Sequence, residues 1–387
     1  MIAMDFRFPE ELDMLRQMIR KFVDQELKPI ARKIDEEGDI PADFIQQLKE
    51  LGFFGLSFPE EYGGAGAGEI GYCIFAEEIS RGSASITTLI GAHASIGAMS
   101  IYLDGTEEQK KKYLPPLCSG DKIAAFALTE PNAGSDAAAI ETTAVRDGGH
   151  YIINGQKIYT TNGSIADVII VFAVTDKALG AHGGVTAFIV ENTYPGFKVG
   201  REEDKMGIRG TKTAQLFFED MKVPVENVVG RFGVGFITAI KALDRGRLGL
   251  AAGCLGASKE SLQLCIKHAN ERKQFGKPLA ENQAIQWMLA DSAMEIYAME
   301  GMVYRAAWLC DQGVRFTQEA AMCKAYCSEA ADRIADRAIQ IHGGIGYMKD
   351  YPLELLYRDS RINRIFEGTN EIQRLIIANN LLKKGSY

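Results

Sequence analysis

The sequence predicts an α+β chain in three blocks, helical, then β, then helical again. Two observations carry this. Apolar residues recur every three to four positions up to about residue 120, and again from Gly233 onward. Between Lys122 and about Val229 the period falls to two, and β-branched and aromatic residues become more frequent. A length of 387 residues allows two or three domains. The changes of period divide the chain at 1–121, 122–232 and 233–387.

In the first block Leu12, Leu15, Ile19 and Phe22 define one apolar helix face, with Arg16, Arg20 and Lys21 turned outward. A short helix is predicted over 42–51, with Gly52 as its C-cap. The stretch PEEYGGAGAG at 59–68 reads as a loop, and helices follow over 69–81 and 85–103. Another fits 106–113, with Thr106 as N-cap and Pro115-Pro116 as a stop. In the second block Asp147-Gly148-Gly149 separates two short strand patterns and predicts a hairpin. Strands are also expected over 124–128, 168–174, 186–190 and 214–218, which suggests a barrel or sandwich. In the third block helices over 236–272, 281–312, 316–342 and 368–383 fit a four-helix bundle.

A hydrophobic share of 47% with 24% charge rules out a disordered chain. The net charge of −8 disfavours nucleic-acid binding, although a few local cations can still hold an anionic substrate. Seven scattered cysteines without a CxxC pair predict free thiols packed as small apolar groups in a reducing, cytoplasmic compartment. The N-terminal MIAMDFRFPEELDML has no basic-then-apolar pattern, so no secretory leader is expected. Apolar runs such as 168–174 fall far short of the ~20 residues that span a bilayer, so no membrane span is expected. Five separated histidines without an HExxH pattern predict no metal site, and the lack of GxSxG argues against an α/β-hydrolase.

Four segments offer chemistry. Gly66-x-Gly68-x-x-Gly71 matches a dinucleotide fingerprint but lacks its strand–turn–helix setting, so it reads as a loop before a helix. TEPNAGSD at 129–136 follows a strand; it is either a plain turn or a set of hydroxyls and N–H groups for a phosphate or heterocycle edge. RKQFGK at 272–277 ends a long helix, so Arg272 either clamps a pyrophosphate or complements the helix C-terminus. EGTNEIQR at 367–374 follows Ile365-Phe366. A carboxylate in that apolar wall has its charged form disfavoured, which suits a base for a weakly acidic C–H proton. Glu367 could equally be a helix N-terminal carboxylate. His93, on the helix over 85–103, reads as a satisfied core histidine or a wall of a pocket.

Together these stretches resemble the acyl-CoA dehydrogenase family. The matches are PEEYGG (59–64), FALTEPNAGSD (126–136), YIINGQKIYTTNG (151–163), ERKQFGKPLAENQAI (271–285), IQIHGGIGY (339–347) and FEGTNEIQR (366–374). They run in order over nearly the whole chain. The resemblance implies an acyl-CoA dehydrogenase-like fold: an N-terminal helical domain, a middle β-barrel and a C-terminal four-helix bundle. It also implies FAD, a homotetramer and an acyl-CoA substrate, with electrons passed to an electron-transferring flavoprotein.

By that resemblance Glu367 removes the acyl α-proton while the β-hydrogen leaves as hydride to flavin N5. The Glu367 N–H and a flavin hydroxyl would hold the thioester carbonyl. Phe126, Leu128 and Thr129 would lie along the flavin, Ser135 would reach the cofactor phosphates or the CoA chain, and Thr161 would donate to N5. Tyr159 stands where many members carry Trp. Arg272, Gln274 and Phe275 would touch the FAD of a neighbouring subunit, with Asn282 and Gln283 in the same region. Gln340, Gly343 and Gly344 would line its pyrophosphate or adenosine end, and Thr369 and Glu371 would close over it. Asp244 and Arg247 would contact the CoA arm, and Gly368 would let the substrate approach closely.

Some members place the base where this chain has Gly246, which strengthens Glu367 for the role. Gly246 and Gly249 would then leave room for a branched, cyclic or medium-length acyl group. Ala84 stands where dicarboxylyl-specific members carry Arg, and no Lys or Arg occurs from 82 to 103, so a neutral acyl tail is expected. Two other readings of the same fold are an acyl-CoA oxidase using dioxygen and a non-catalytic scaffold.

Overall fold

A computed structural model describes residues 7–385; the first six residues of the expected leader-free N-terminus lie outside it. The first block is helical. α1 (Glu10–Phe22) runs through a π-helical turn at Val23–Leu27 into α2 (Lys28–Glu37), which Gly38 ends in the left-handed conformation. α3 (Ala42–Glu50) stops before Gly52, also left-handed. α4 (Gly68–Ser80) is buried almost all round, acids included. Glu77 accepts from Lys259 at 2.8 Å and from Arg16 at 3.5 Å, and Glu78 from Arg20 at 2.6 Å. The Gly66–Gly71 motif opens this helix, and among the described residues no strand precedes it.

One long helical stretch follows, made of α5 (Ala84–Ile90), a π-helical segment over Gly91–Ala98, and α6 (Met99–Asp104). Its mean hydropathy and length match a membrane span, contrary to the expectation from unbroken apolar runs. Scattered Ser, Thr and His break the runs yet leave the mean high, and 72% of its most apolar window is buried inside the fold. It is a core helix.

α7 (Glu107–Cys118) begins in a capping box in which Thr106 and Gln109 bond each other's backbone N–H. Pro115 and Pro116 do not stop it, a correction to the sequence reading. The N–H groups they lack would have bonded Lys111 and Lys112, both exposed, while Leu114, Leu117 and Cys118 hold the last turn on the core.

The middle block is one seven-stranded sheet: β1 (Ala124–Ala127), β2 (Thr143–Asp147), β3 (His150–Thr161), β4 (Val168–Val174), β5 (Val185–Glu191), β6 (Phe197–Glu202) and β7 (Thr213–Pro224). The hairpin forms as expected, with Asp147 opposite His150 across Gly148-Gly149. β4 pairs β5 along one edge and shares the other between β1 and the end of β2. The sheet continues through β3 and β7 to β6, whose largely exposed residues gave no strand signal. The sheet has two packed faces. Val168, Ile170, Phe172 and Ile189 face the helical core, while Ile169, Val171, Phe188 and Val190 pack with Leu216 and Phe218. A four-residue helix, α8 (Ala181–Gly184), links β4 to β5.

The last block holds α9 (Gly235–Glu271), α10 (Gln283–Asp311), α11 (Thr317–His342) and α13 (Asn370–Lys384). Between α9 and α10 lies a small hairpin, β8 (Lys273–Gln274) with β9 (Lys277–Pro278). α12 (Leu353–Ser360) was not anticipated. α9 is the axis: it packs on α10 and α11 on one side and on α4 on the other. Glycines make the α4 contact possible. A Cβ on Gly256 would stand 1.7 Å from the Glu77 carbonyl, and one on Gly253 2.9 Å from Ser80 Oγ. All seven cysteines are buried free thiols.

Candidate active site

Glu367 sits on the short link from α12 to α13. A 3₁₀ turn over Arg361–Arg364 ends at Ile365 and Phe366; Glu367 and Gly368 then adopt φ of 55° and 89°. Positive φ at a glutamate is strained and persists only where surroundings enforce it. Here three buried side chains from three helices hold the two carbonyls. Arg247 on α9 donates to the Glu367 carbonyl at 3.1 Å. Lys324 on α11 donates to the Gly368 carbonyl at 2.7 Å and to Asn370 Oδ1 at 2.9 Å. Gln373 on α13 donates to both carbonyls, at 3.2 and 2.9 Å. The helix cap is Thr369, whose hydroxyl accepts from the Ile372 N–H, so Glu367 is not the helix-terminal carboxylate of the alternative reading.

The Glu367 carboxylate points inward. Its Oε2 is buried and has no hydrogen-bond partner. Burial pushes its pKa up to about 7, against the pull of Arg247 and Lys324. Lys324 shares the dry environment, and its own pKa falls to about 8. The site is therefore a carboxylate poised near neutrality in an apolar wall.

Gly246 and Gly249 do not leave open room, contrary to the sequence expectation. A Cβ on Gly246 would stand 2.5 Å from Glu367 Oε2 and 2.8 Å from Ile96 Cγ2. One on Gly249 would stand 2.5 Å from Tyr72 Cε1. The glycines lack side chains because a carboxylate and an aromatic ring already fill those spaces. Asp244 and Arg247 are both buried: Arg247 donates to Asp244 at 2.9 Å, and Asp244 accepts from Thr317 at 2.6 Å.

A second group of named residues lies along β1 and β3. Phe126 is half-buried with its ring 4.7 Å from that of Phe172, and Leu128 is nearly buried beyond it. β3 breaks register between Lys157 and Thr160, and in that bulge Tyr159 takes φ 55° and is 64% exposed. The Ile158 N–H donates to the Thr129 carbonyl at 2.9 Å, joining the two strand ends. Beneath them Lys157 is fully buried, donating to Glu130 at 2.6 Å and to the Leu128 carbonyl at 3.0 Å. Glu130 in turn accepts the Thr142 N–H at 3.0 Å, so this pair pins both ends of the exposed 131–139 loop that carries Ser135.

The third group lies at the far end of the bundle. His268 on α9 stacks on His342 on α11, centroids 4.2 Å apart, so the ends of the two helices that carry Arg272 on one side and Gln340, Gly343 and Gly344 on the other meet here. Phe275, at the tip of the β8–β9 hairpin with φ 51°, is 99% exposed, and Arg272, Gln274, Gln283 and Gln340 are exposed too. Asn282 is half-buried, its side chain bonded to the Leu279 carbonyl. Arg247 and Arg272 lie 25 residues apart along α9, roughly 37 Å at the helical rise. One chain therefore does not bring this group to Glu367, although Thr369 and Glu371 do lie beside it.

His93 is a core residue. Its Nδ1 accepts from the Ala124 N–H at 2.9 Å and its Nε2 donates to the Leu117 carbonyl at 3.0 Å. With both nitrogens used in a dry setting, its pKa drops to about 4 and it stays neutral. Sequence reasoning missed Lys324, Gln373, Lys157 and Tyr72. Lys324 had a readable signal: it falls on the same helix face as Ala320, Cys327 and Ala331, where a lysine is out of place.

Comparison with known proteins agrees with this architecture. Sequence models of the N-terminal, middle and C-terminal domains of acyl-CoA dehydrogenase match residues 9–121, 125–221 and 233–382. The chain is 44% identical to the short-chain specific acyl-CoA dehydrogenase of Clostridium acetobutylicum, over 98% of this chain and 100% of that protein. The solved butyryl-CoA dehydrogenase of Megasphaera elsdenii superposes with a TM-score of 0.95 at 42% identity, covering 98% of this chain and all of that one. A chain from a structure described as the electron transferring flavoprotein of Acidaminococcus fermentans gives 0.96 at 43% identity, with the same coverage. The fold and the buried carboxylate define an FAD-dependent oxidoreductase that dehydrogenates acyl-CoA thioesters. The chain belongs to the acyl-CoA dehydrogenase family.

The β1–β3 surface fits a flavin. It presents an aromatic ring, a strained exposed tyrosine, and three hydroxyls (Thr129, Ser135 and Thr161) that bond no other group among the described residues.

Proposed function

We propose that Glu367 is the base that removes the acyl α-proton. The observation that carries this is its buried, partnerless Oε2, held near neutrality by burial. Bound FAD supplies the acceptor for the β-hydride. Phe126, Leu128 and Tyr159 support the flavin ring, and the hydroxyls of Thr129, Ser135 and Thr161 bond its edge and phosphates. The Glu367 N–H donates to no group among the described residues, so it is free to hold the thioester carbonyl and stabilise its developing negative charge. Arg247 positions Glu367 through its carbonyl and, with Asp244, lines the approach of the CoA arm. Gly368 lets the link turn at φ 89°, where a Cβ would meet Gln373 Nε2 at 2.7 Å, and the thioester lies against this link.

The acyl group is short and neutral. No cation occurs between 82 and 103, and the named relatives are short-chain and butyryl-CoA enzymes. Arg272, Gln274, Phe275, Asn282, Gln283, Gln340, Gly343 and Gly344 serve the FAD of a neighbouring subunit, because within one chain Arg272 lies roughly 37 Å along α9 from Arg247, which holds Glu367. Thr369 and Glu371 close over the cofactor on their own side. The units are 1–121, 122–232 and 233–387, the assembly is a homotetramer in the cytoplasm, and electrons leave to an electron-transferring flavoprotein.

The test is Glu367→Gln. It should retain flavin and bind acyl-CoA but lose turnover by ~10³-fold, within the range of general-base catalysis. Unchanged turnover with flavin bound would remove Glu367 from the role. Reduction of purified electron-transferring flavoprotein, rather than of dioxygen, would identify the acceptor.

A further inference from the structure

We propose that Tyr72 sets the length of acyl chain the enzyme accepts, by closing the interior end of the acyl cleft against Gly249. This rests on the reading that the acyl α-carbon is held at Glu367. The coenzyme arm is large and polyanionic and must stay toward solvent, where Ile365 is about half exposed. The acyl tail therefore runs the other way, into the protein. In that direction lie α4, buried on nearly every side, and the π-helical segment over Gly91–Ala98.

Tyr72 stands across this path, only 2% exposed. Its ring edge, at Cε1, meets the Gly249 position, three residues along α9 from the Gly246 position that Glu367 fills. Its hydroxyl reaches the opposite wall, 3.3 Å from where a Gly91 Cβ would be, and lies beside Ser95. The ring thus bridges α9 and the π-helical segment. The offset from Gly246 to Gly249 is about 4.5 Å along the axis, roughly three to four methylenes. A four- or five-carbon acyl group fills that distance, and a longer one meets the ring. The wall is stiff because the ring rests on helix backbone rather than on a side chain that could move aside.

The experiment compares wild type, Tyr72→Ala and Tyr72→Phe as flavin-loaded enzymes. Binding of butyl-, octyl- and dodecyl-CoA thioethers is measured by calorimetry, and kcat/KM by turnover of the matching acyl-CoAs. Wild type should favour the four-carbon ligand. Tyr72→Ala should shift the octyl-to-butyl binding ratio by at least tenfold toward octyl, and Tyr72→Phe should keep the wild-type order. A folded, flavin-loaded Tyr72→Ala with an unchanged ratio would overturn the proposal, as would wild type binding dodecyl as tightly as butyl. If Tyr72→Ala does not fold, Tyr72→Leu makes the same comparison. Thioether binding needs no base, so failure of the Glu367 reading would show in turnover alone and leave this result standing.

Discussion

Gly246 and Glu367 share one space: a Cβ on the glycine would stand 2.5 Å from the carboxylate Oε2. The conformation of the candidate base is thus conditional on the absence of a side chain one helix away. Gly246→Ala should push the carboxylate from its seat while the helix itself gains an ordinary residue. A displacement of about 1 Å at a reacting group costs on the order of 10² in rate. Steady-state kinetics should show kcat lowered by about that factor with flavin content and Tm near wild type. Full kcat in the alanine variant would show that the carboxylate position is not limiting.

The pH dependence follows from burial. Glu367 must be ionised to accept a proton, and its pKa is pushed up to about 7. Activity is lost as pH falls through that value and reaches a plateau above it. The kcat/KM profile, which reports the free enzyme, should rise with an apparent pKa near 7. An ascending limb near 4.5, the value of an exposed glutamate, would contradict the buried setting.

Lys324 gives a second handle on the same limb. Its positive charge lowers the Glu367 pKa, so removing it raises that pKa. Arg247, which also faces the carboxylate, remains. Lys324→Met should therefore move the ascending limb to higher pH and lower activity at pH 7 by roughly fivefold, the effect of about one pKa unit on a group that starts half-ionised there. Part of the loss should return on raising the pH. A uniform loss at every pH would assign Lys324 to loop structure alone.

The α4–α9 contact predicts a stability effect. A Cβ on Gly256 would overlap the Glu77 carbonyl at 1.7 Å, and backbone cannot step aside as a side-chain tip can. Gly256→Ala should destabilise by at least ~2 kcal/mol, at the upper part of the range for overpacking. Thermal unfolding should register a clear fall in Tm; an unchanged Tm would mean that α4 and α9 can separate without cost.

Phe275 tests the sharing of cofactor between subunits. It is 99% exposed at a hairpin tip, and its group lies roughly 37 Å from Arg247 along α9. Phe275→Ala should leave the fold of one chain unchanged but weaken flavin retention, and flavin loss should track dissociation of the oligomer. A monomeric variant that keeps its full flavin would contradict shared binding.

The sequence showed the fold's three blocks because period is a local property, and it showed Glu367 because Phe366 and Gly368 flank it. Other features depended on partners distant in sequence. Pro115 and Pro116 looked like a stop until Leu114, Leu117 and Cys118 were seen pinning the last turn. Gly246 and Gly249 looked like vacant room, since nothing near them in sequence reveals that Glu367 and Tyr72 fill it. The cradle of Arg247, Lys324 and Gln373 draws on three helices; Arg247 was named for the CoA arm, and of the other two only Lys324 carries a sequence signal, as a lysine on an apolar face.

The π-helical segment over Gly91–Ala98 has a consequence for how this enzyme can change over generations. Such a segment is, in effect, a helix carrying surplus residues. Deleting one of them would restore ordinary winding and turn the residues inside the segment to new faces, with both flanks kept in register. A different set of side chains would then face Tyr72 and Glu367, while the ends of the stretch at Ala84 and Asp104 could keep their attachments. A single-codon deletion would thus redraw the wall in one step, a route that point substitutions would have to travel residue by residue.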